Sequence, residues 1–172
     1  VLVVRPDLKA ATVSELIALA KAKPGALSFA SPGNGSQAHM AAEYLKMLSG
    51  TYAVHIPYNG VGAALNDVLG GRIDFMFAQT SAAMPQVQAG RVRALAVTSE
   101  RRSPFAPQVP TMAEAGVKGF AEAGSDLWFG IVGPPGLPKP IVQKLNEALI
   151  VALRSPEMRQ RMSAAGFEPW TS

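Results

Sequence analysis

Residues 27–39 read Leu27-Ser28-Phe29-Ala30-Ser31-Pro32-Gly33-Asn34-Gly35-Ser36-Gln37-Ala38-His39, and this stretch decides the fold class. The apolar run from Leu27 to Ala30 has the length of a buried strand. From Gln37 to Ser49 the residues Ala38, Ala41, Ala42, Leu45 and Leu48 fall on one helical face. A strand that empties through two glycines into a helix leaves backbone N–H groups unpaired at the helix N-terminus. Those donors, together with the helix dipole, favour an anion. The loop from Ser31 to Ser36 therefore reads as a seat for a negative group.

The alternation of strand and helix continues on both sides, the pattern of βαβ units and an α/β fold with a mainly parallel sheet. Upstream, Val1 to Val4 is a strand. Thr12-Val13-Ser14-Glu15 spells a capping box for a helix that runs to about Ala22 and stops at Lys23-Pro24-Gly25. Downstream, strands are expected at Val54 to Pro57, Ile73 to Ala78 and Ala94 to Thr98. One intervening helix ends at Leu69 before Gly70-Gly71, and another covers Ser81 to Ala89. Strand exits thus deliver glycine or polar residues into loops at Ser31 to Ser36, Tyr58 to Gly62 and Ala78 to Ser81. Ligands of open parallel sheets sit at the carboxyl ends of the strands, so these loops are expected to converge.

Beyond Thr98 the character changes. Ser103 to Pro110 is proline-rich and irregular, and Thr111-Met112-Ala113-Glu114 repeats the capping-box pattern for a short helix. Leu127 to Val132 reads as a strand ending at Gly133-Pro134-Pro135-Gly136. Pro138 suits the first position of a long amphipathic helix to Leu153, and Pro156 that of another to Ala165.

Composition narrows the function classes. At 172 residues and 48% hydrophobic content the chain fits one globular domain with a real core. It has no cysteine, which removes disulfides and thiolate metal sites. The longest apolar runs, Val1 to Val4 and Ala148 to Leu153, are far short of the roughly 20 residues of a membrane helix. The opening Val1-Leu2-Val3-Val4 reads as the middle of a strand, which predicts a fragment or a trimmed product. The formal charge of +4 is scattered, with a local excess at Arg91, Arg93, Arg101 and Arg102, and only 7% of the residues are aromatic. That is a solvated surface with a weak pull on anions, not a nucleic-acid face.

Several chemistries can be weighed at the loop. Gly33-Asn34-Gly35-Ser36-Gln37-Ala38 matches the G-x-G-x-x-A dinucleotide fingerprint. The acid that would hold the ribose after the next strand is replaced by Pro57-Tyr58-Asn59. Ser36 has Asn34 and Ala38 where a nucleophile elbow needs glycines, and His39 shares its helical turn instead of arriving as a base from another loop. His39 and His55 are too few for a metal site, and His55 lies within a strand. Near a helix N-terminus His39 is expected to stay neutral and act as a donor, unless it is simply a hydrogen-bonded helix residue. Tyr58 and Gln79 sit at strand exits where ligand donors are useful, while Met40 and Met47 read as packing residues.

Taken in order, several segments carry a resemblance. They are Leu27 to Ser36 with His39, Ile56-Pro57-Tyr58-Asn59-Gly60, Leu69-Gly70-Gly71-Arg72-Ile73-Asp74-Phe75-Met76-Phe77, Ala89 to Thr98, Val109 to Gly116, and Trp128-Phe129-Gly130 before Gly133-Pro134. The chain resembles the substrate-binding receptors of tripartite tricarboxylate transporters, the Bug-type family, over nearly its whole length. The resemblance implies a non-enzymatic periplasmic receptor, without cofactor, whose two α/β lobes close on a small carboxylate and deliver it to a membrane permease. It places Ser31, Gly33, Asn34, Gly35, Ser36 and His39 on the gripping loop of the second lobe and Tyr58 and Gly60 on its neighbour. Ala78-Gln79-Thr80 departs from the family's usual Asp-Asn or Ala-Asn at that place, which bears on distal specificity. The implied organisation is a crossing strand at 1–4 and a periplasmic-binding-protein-like second lobe at 5–126. Residues 127–172 form a crossing strand and partial helices returning to a first lobe that is missing. Their apolar faces would then be left for self-association. The alternative is a nucleotide-binding α/β enzyme with Gly33 and Gly35 beneath a pyrophosphate.

Overall fold

The computed structural model describes residues 1–123, 130–164 and 167. The chain divides into two compact units, Val1–Leu127 and Trp128–Ser172. The first contains β1 (Leu2–Val4), α1 (Val13–Ala22), β2 (Ser28–Ser31), α2 (Gln37–Ser49), β3 (Val54–Pro57), α3 (Val61–Leu69), β4 (Phe75–Phe77), α4 (Thr80–Gln88) and β5 (Arg93–Ala96), followed by a 3-10 turn at Phe120–Ala123. The second contains α5 (Lys139–Arg154) and α6 (Pro156–Ala164). Among the described residues, no helix is long and apolar enough to cross a membrane.

The sheet order is β3-β2-β4-β1-β5. β2 runs parallel to both β3 and β4, and β1 runs antiparallel to β4 and β5, so the sheet is mainly parallel with one reversed strand. Alternation along the strands sends side chains to two cores. Leu2, Val4, Phe29, Phe75 and Phe77 pack under α1 and α2, joined by Met112 and Phe120. Val3, Ala30 and Met76 pack under α3 and α4 with Leu65, Val68 and Met84. At about 25 cal/mol per Å² of apolar surface removed from water, these two layers supply the main stabilisation of the sheet.

Most predicted elements are present, and the differences have physical reasons. β2 ends on Ser31 because that residue pairs with Pro57 in the parallel ladder. β4 is shorter than Ile73 to Ala78, although Asp74 still bonds across it through its backbone, to the Arg5 amide at 3.0 Å and the Ser28 carbonyl at 3.2 Å, while its carboxylate accepts from the Ser28 amide at 2.8 Å and from Arg5 Nε at 2.9 Å. β5 starts at Arg93, whose side chain donates to the Ala10 carbonyl at 2.9 Å. Thr12 caps α1 by accepting from the Glu15 amide at 3.2 Å. The Glu15 carboxylate reaches past the cap to the Ala11 amide at 2.6 Å, so the capping box is displaced by one residue.

At Thr111 both halves of a capping box form, the Thr111 amide to Glu114 at 2.8 Å and the Glu114 amide to Thr111 Oγ1 at 3.1 Å. No α-helix follows. Gly116 at φ +93 stops the chain after one turn, and the buried Val117 turns into the core. Of the strand expected at Leu127 to Val132, residues 127–129 lie outside the described residues, and Gly130 to Val132 belong to no strand.

Candidate functional site

β2, β3 and β4 lie side by side and point the same way, so their exits reach one edge of the sheet. β2 leads into α2 on one face, and β4 leads into α4 on the other. Neighbouring strands that send the chain to opposite faces leave a crevice between their exits, the switch point where α/β sheets take ligands. Residues 31–36 lie on one side of it and residues 78–79 on the other.

The loop after β2 is tied down by its own polar atoms. The Gly33 carbonyl accepts from Ser31 Oγ at 2.9 Å, from Ser36 Oγ at 2.7 Å and from the Ser36 amide at 3.3 Å. Ser31 is fully buried, and its Oγ also accepts from the Gly33 amide at 3.2 Å and lies 2.7 Å from His55 Nε2. Ser36 caps α2 by accepting from the His39 amide at 3.3 Å. Gly33 holds φ +145 and Gly35 φ +73, conformations that a side chain would strain. Both serine hydroxyls thus hold the loop's shape, and what the loop offers outward is main chain. Asn34 and Gly35 are exposed, and the Asn34 and Ala38 amides have no acceptor among the described residues.

The second loop is stitched to the first. The Tyr58 amide donates to the Ser31 carbonyl at 2.9 Å, and the Gly60 amide to the Pro32 carbonyl at 3.4 Å. Gly60, at φ +108, precedes α3. The Tyr58 hydroxyl donates to Asp67 Oδ2 at 2.6 Å, and Arg72 pairs with Asp67 from the other side. Arg72, and then Tyr58, hold the Asp67 carboxyl below its ordinary range, while burial and the bond to Asp67 push the Tyr58 phenol up. The phenol proton is therefore already engaged.

In the third loop the Ala78 amide donates to the Val1 carbonyl at 2.8 Å, and the Ala78 carbonyl accepts from the Val1 nitrogen at 2.7 Å, so the Ala78 backbone continues the sheet. Gln79 is half-buried and precedes α4 without capping it through its side chain. The structure therefore brings the first two loops into hydrogen-bonded contact and sets the third at the next strand's exit.

His39 is placed differently from expectation. Its Nδ1 accepts from the Gly35 amide at 3.0 Å, so it is an acceptor at this nitrogen rather than a donor. The ring stacks on His55 with centroids 3.9 Å apart and planes 11° apart, and His55 stacks in turn on Phe29 at 4.8 Å. His55 is thus part of the site, although its position in a strand sets it aside in sequence. The available signal was register: Phe29, Ser31 and His55 share one face of the paired strands. Partial burial, and then the charge that His39 carries when protonated, lower the His55 pKa, which favours the neutral form of this half-buried ring.

A family model described as the tripartite tricarboxylate transporter family receptor matches residues 1–172. The chain belongs to this receptor family. BugT of Bordetella pertussis is 37% identical over 169 residues, covering 98% of this chain and 51% of its own length. A UPF0065 protein from the tcbD-tcbE intergenic region of Pseudomonas sp. strain P51 is 36% identical over 169 residues, covering 98% and 49%. The chain spans about half the length of the curated relatives it matches.

Among solved structures, R. palustris Rpa4515 with adipate superposes with a TM-score of 0.88 at 32% identity, over 99% of this chain and 56% of that one. MatC of Rhodopseudomonas palustris with bound malate gives 0.83 at 31% identity, over 96% and 55%. The periplasmic binding protein BugD gives 0.83 at 36% identity, over 96% and 54%. The α/β fold of this receptor, a mainly parallel sheet flanked by helices, is that of its periplasmic-binding-protein neighbours.

Proposed function

We propose that this receptor chain captures a small carboxylate at the loop of residues 31–36 and acts in the periplasm. There it delivers the ligand to the membrane permease of a tripartite tricarboxylate-type transporter. The observation that carries the reading is the main-chain character of the loop. Its hydroxyls are turned inward, and its outward amides stand at the start of α2 beside the switch point, in a family two of whose structural neighbours hold adipate and malate. The amides of Asn34 and Ala38 would receive one carboxylate, with Gly60 and Gln79 beside it. The receptor works as a binder rather than an enzyme.

In this reading residues 1–4 are a crossing strand, 5–126 are the ligand-binding lobe, and 127–172 belong with an opposing lobe that the relatives' additional length would supply. A cleft that combines donors from two surfaces loses most of its affinity when one is absent. Calorimetry of this chain with adipate, malate and other mono- and dicarboxylates is expected to give millimolar binding or weaker. Thermal-shift assays with NAD and ATP should show no response. Submicromolar binding by the monomeric chain would overturn the two-lobe assignment, and a response to the nucleotides alone would overturn the carboxylate reading.

The second unit bears on self-association. α5 has no buried residue, and Ile141, Val142, Leu145 and Val151 are exposed on it. We expect this chain to associate through these residues, and the Leu145→Lys variant to remain monomeric in light scattering.

A further inference from the structure

The amide of Gly35 lies at the centre of the proposed carboxylate seat, yet it is not free: it donates to His39 Nδ1 at 3.0 Å. A ring nitrogen that accepts a hydrogen bond must carry a lone pair, so the bond exists only while His39 is neutral, with its proton on Nε2. Protonation of Nδ1 would set two N–H donors against each other at that distance and break the contact. The same proton would release the Gly35 amide and place a positive charge beside it.

The groups around the ring decide where that proton goes. Glu43, one helical turn along α2, has Oε1 3.7 Å from His39 Nε2 and favours the charged ring. Lys46, also on α2, is paired with the same carboxylate at 2.8 Å, so part of its opposition is neutralised. From β3, His55 faces His39 ring on ring at 3.9 Å, and its Nε2 is held by Ser31 Oγ at 2.7 Å. Two charged imidazoles at that spacing repel strongly, so the stack takes up at most one added proton. Beneath His55 lies Phe29, which is apolar and buried. His39, half-buried and beside Glu43, is the member of the pair that can take it.

We propose that His39 is a latch on the binding loop: neutral, it occupies the Gly35 amide that a carboxylate needs, and on taking one proton it yields that amide, so that carboxylate capture is coupled to proton uptake. This rests on the carboxylate reading above. The balance is simple, since one proton moves from solvent to His39 Nδ1 and the Gly35 N–H changes acceptor from that nitrogen to a carboxylate oxygen. His39 is accordingly a positioning residue for the loop. Coupling of this kind typically changes affinity about 5- to 150-fold.

The test is two-dimensional amide NMR of this chain, which detects weak binding. Without ligand, the Gly35 amide shift is expected to titrate together with the His39 ring nitrogens. With adipate, the Asn34, Gly35 and Ala38 amides should shift, and the apparent affinity should be at least about fivefold higher near pH 6 than near pH 8. In His39→Gln, where the side chain can still accept from Gly35 but cannot titrate, the loop should bind adipate with no pH dependence over that range. The unchanged remainder of the spectrum reports that the variant is folded. Adipate-induced loop shifts with equal affinity at both pH values in the unmodified chain would overturn the latch and leave the carboxylate reading intact. No adipate-induced loop shift at either pH would overturn both.

Discussion

The buried Ser31 hydroxyl ties the binding loop to the neighbouring strand. Ser31 Oγ faces His55 Nε2, the Gly33 amide and the Gly33 carbonyl at 2.7 to 3.2 Å. Ser31→Ala leaves the half-buried His55 nitrogen and the Gly33 amide without that partner, and groups orphaned in this way cost about 1–3 kcal/mol. Urea denaturation should show a loss in that range. Gly33→Ala meets no steric wall, the nearest atom to an added Cβ being the Tyr58 carbonyl oxygen at 3.9 Å, but it must hold φ +145. Such strain costs about 1–3 kcal/mol, so the variant should lose stability despite the open space, and a neutral result would show that the loop relaxes. The sequence showed that Gly33 and Gly35 formed a tight loop before a helix. It did not show that Ser31 and Ser36 turn inward, because a hydroxyl's partner depends on what lies across the sheet.

At the scale of elements, α2 is the part of the site with the clearest local code. Ser36 caps it at one end, and Gly50 in the left-handed conformation at φ +61 closes the other. Ser36→Ala removes the cap and the 2.7 Å bond to Gly33 together, and caps alone contribute about 0.5–2 kcal/mol. Its stability loss should exceed that of Thr12→Ala, whose hydroxyl accepts from the Glu15 amide alone among the described residues. Equal losses in thermal denaturation would mean that the Gly33 bond adds nothing. The helix predicted after Thr111 shows the limit of local code. Its capping box is complete, but Gly116 ends the turn and Val117 is drawn into the core, so tertiary burial overrides the helix start.

Across the whole molecule, stability should follow pH in two steps. The His55 pKa is lowered in the fold by burial, so the unfolded chain binds the proton more readily. The corresponding stability is present above about pH 6.5 and is lost as pH falls below it. Asp67 and Glu114 have lowered pKa values from Arg72 and Arg102, and their contribution disappears further down, as pH falls through the carboxylate range. Melting temperatures should therefore begin to drop below about pH 6.5, and His55→Gln should flatten that first step while leaving the lower one. An unmodified chain whose melting temperature is flat from neutral pH to about pH 5 would contradict this.

The ordered motifs carried the resemblance to the receptor family, while the alternation of apolar runs, the glycines and the caps determined from sequence alone that the chain is an α/β protein with a mainly parallel sheet and that a glycine loop opens α2. These properties are set within a few residues by backbone conformation and periodicity. Tertiary structure alone decided that His55 stacks on His39, that the Tyr58 hydroxyl donates a hydrogen bond to Asp67, and that Ala78 pairs with Val1. The His55–His39 and Ala78–Val1 contacts join residues brought together by sheet register and crossover, which leave no mark in residue spacing, and the Tyr58–Asp67 bond depends on how α3 packs back on the exit of β3.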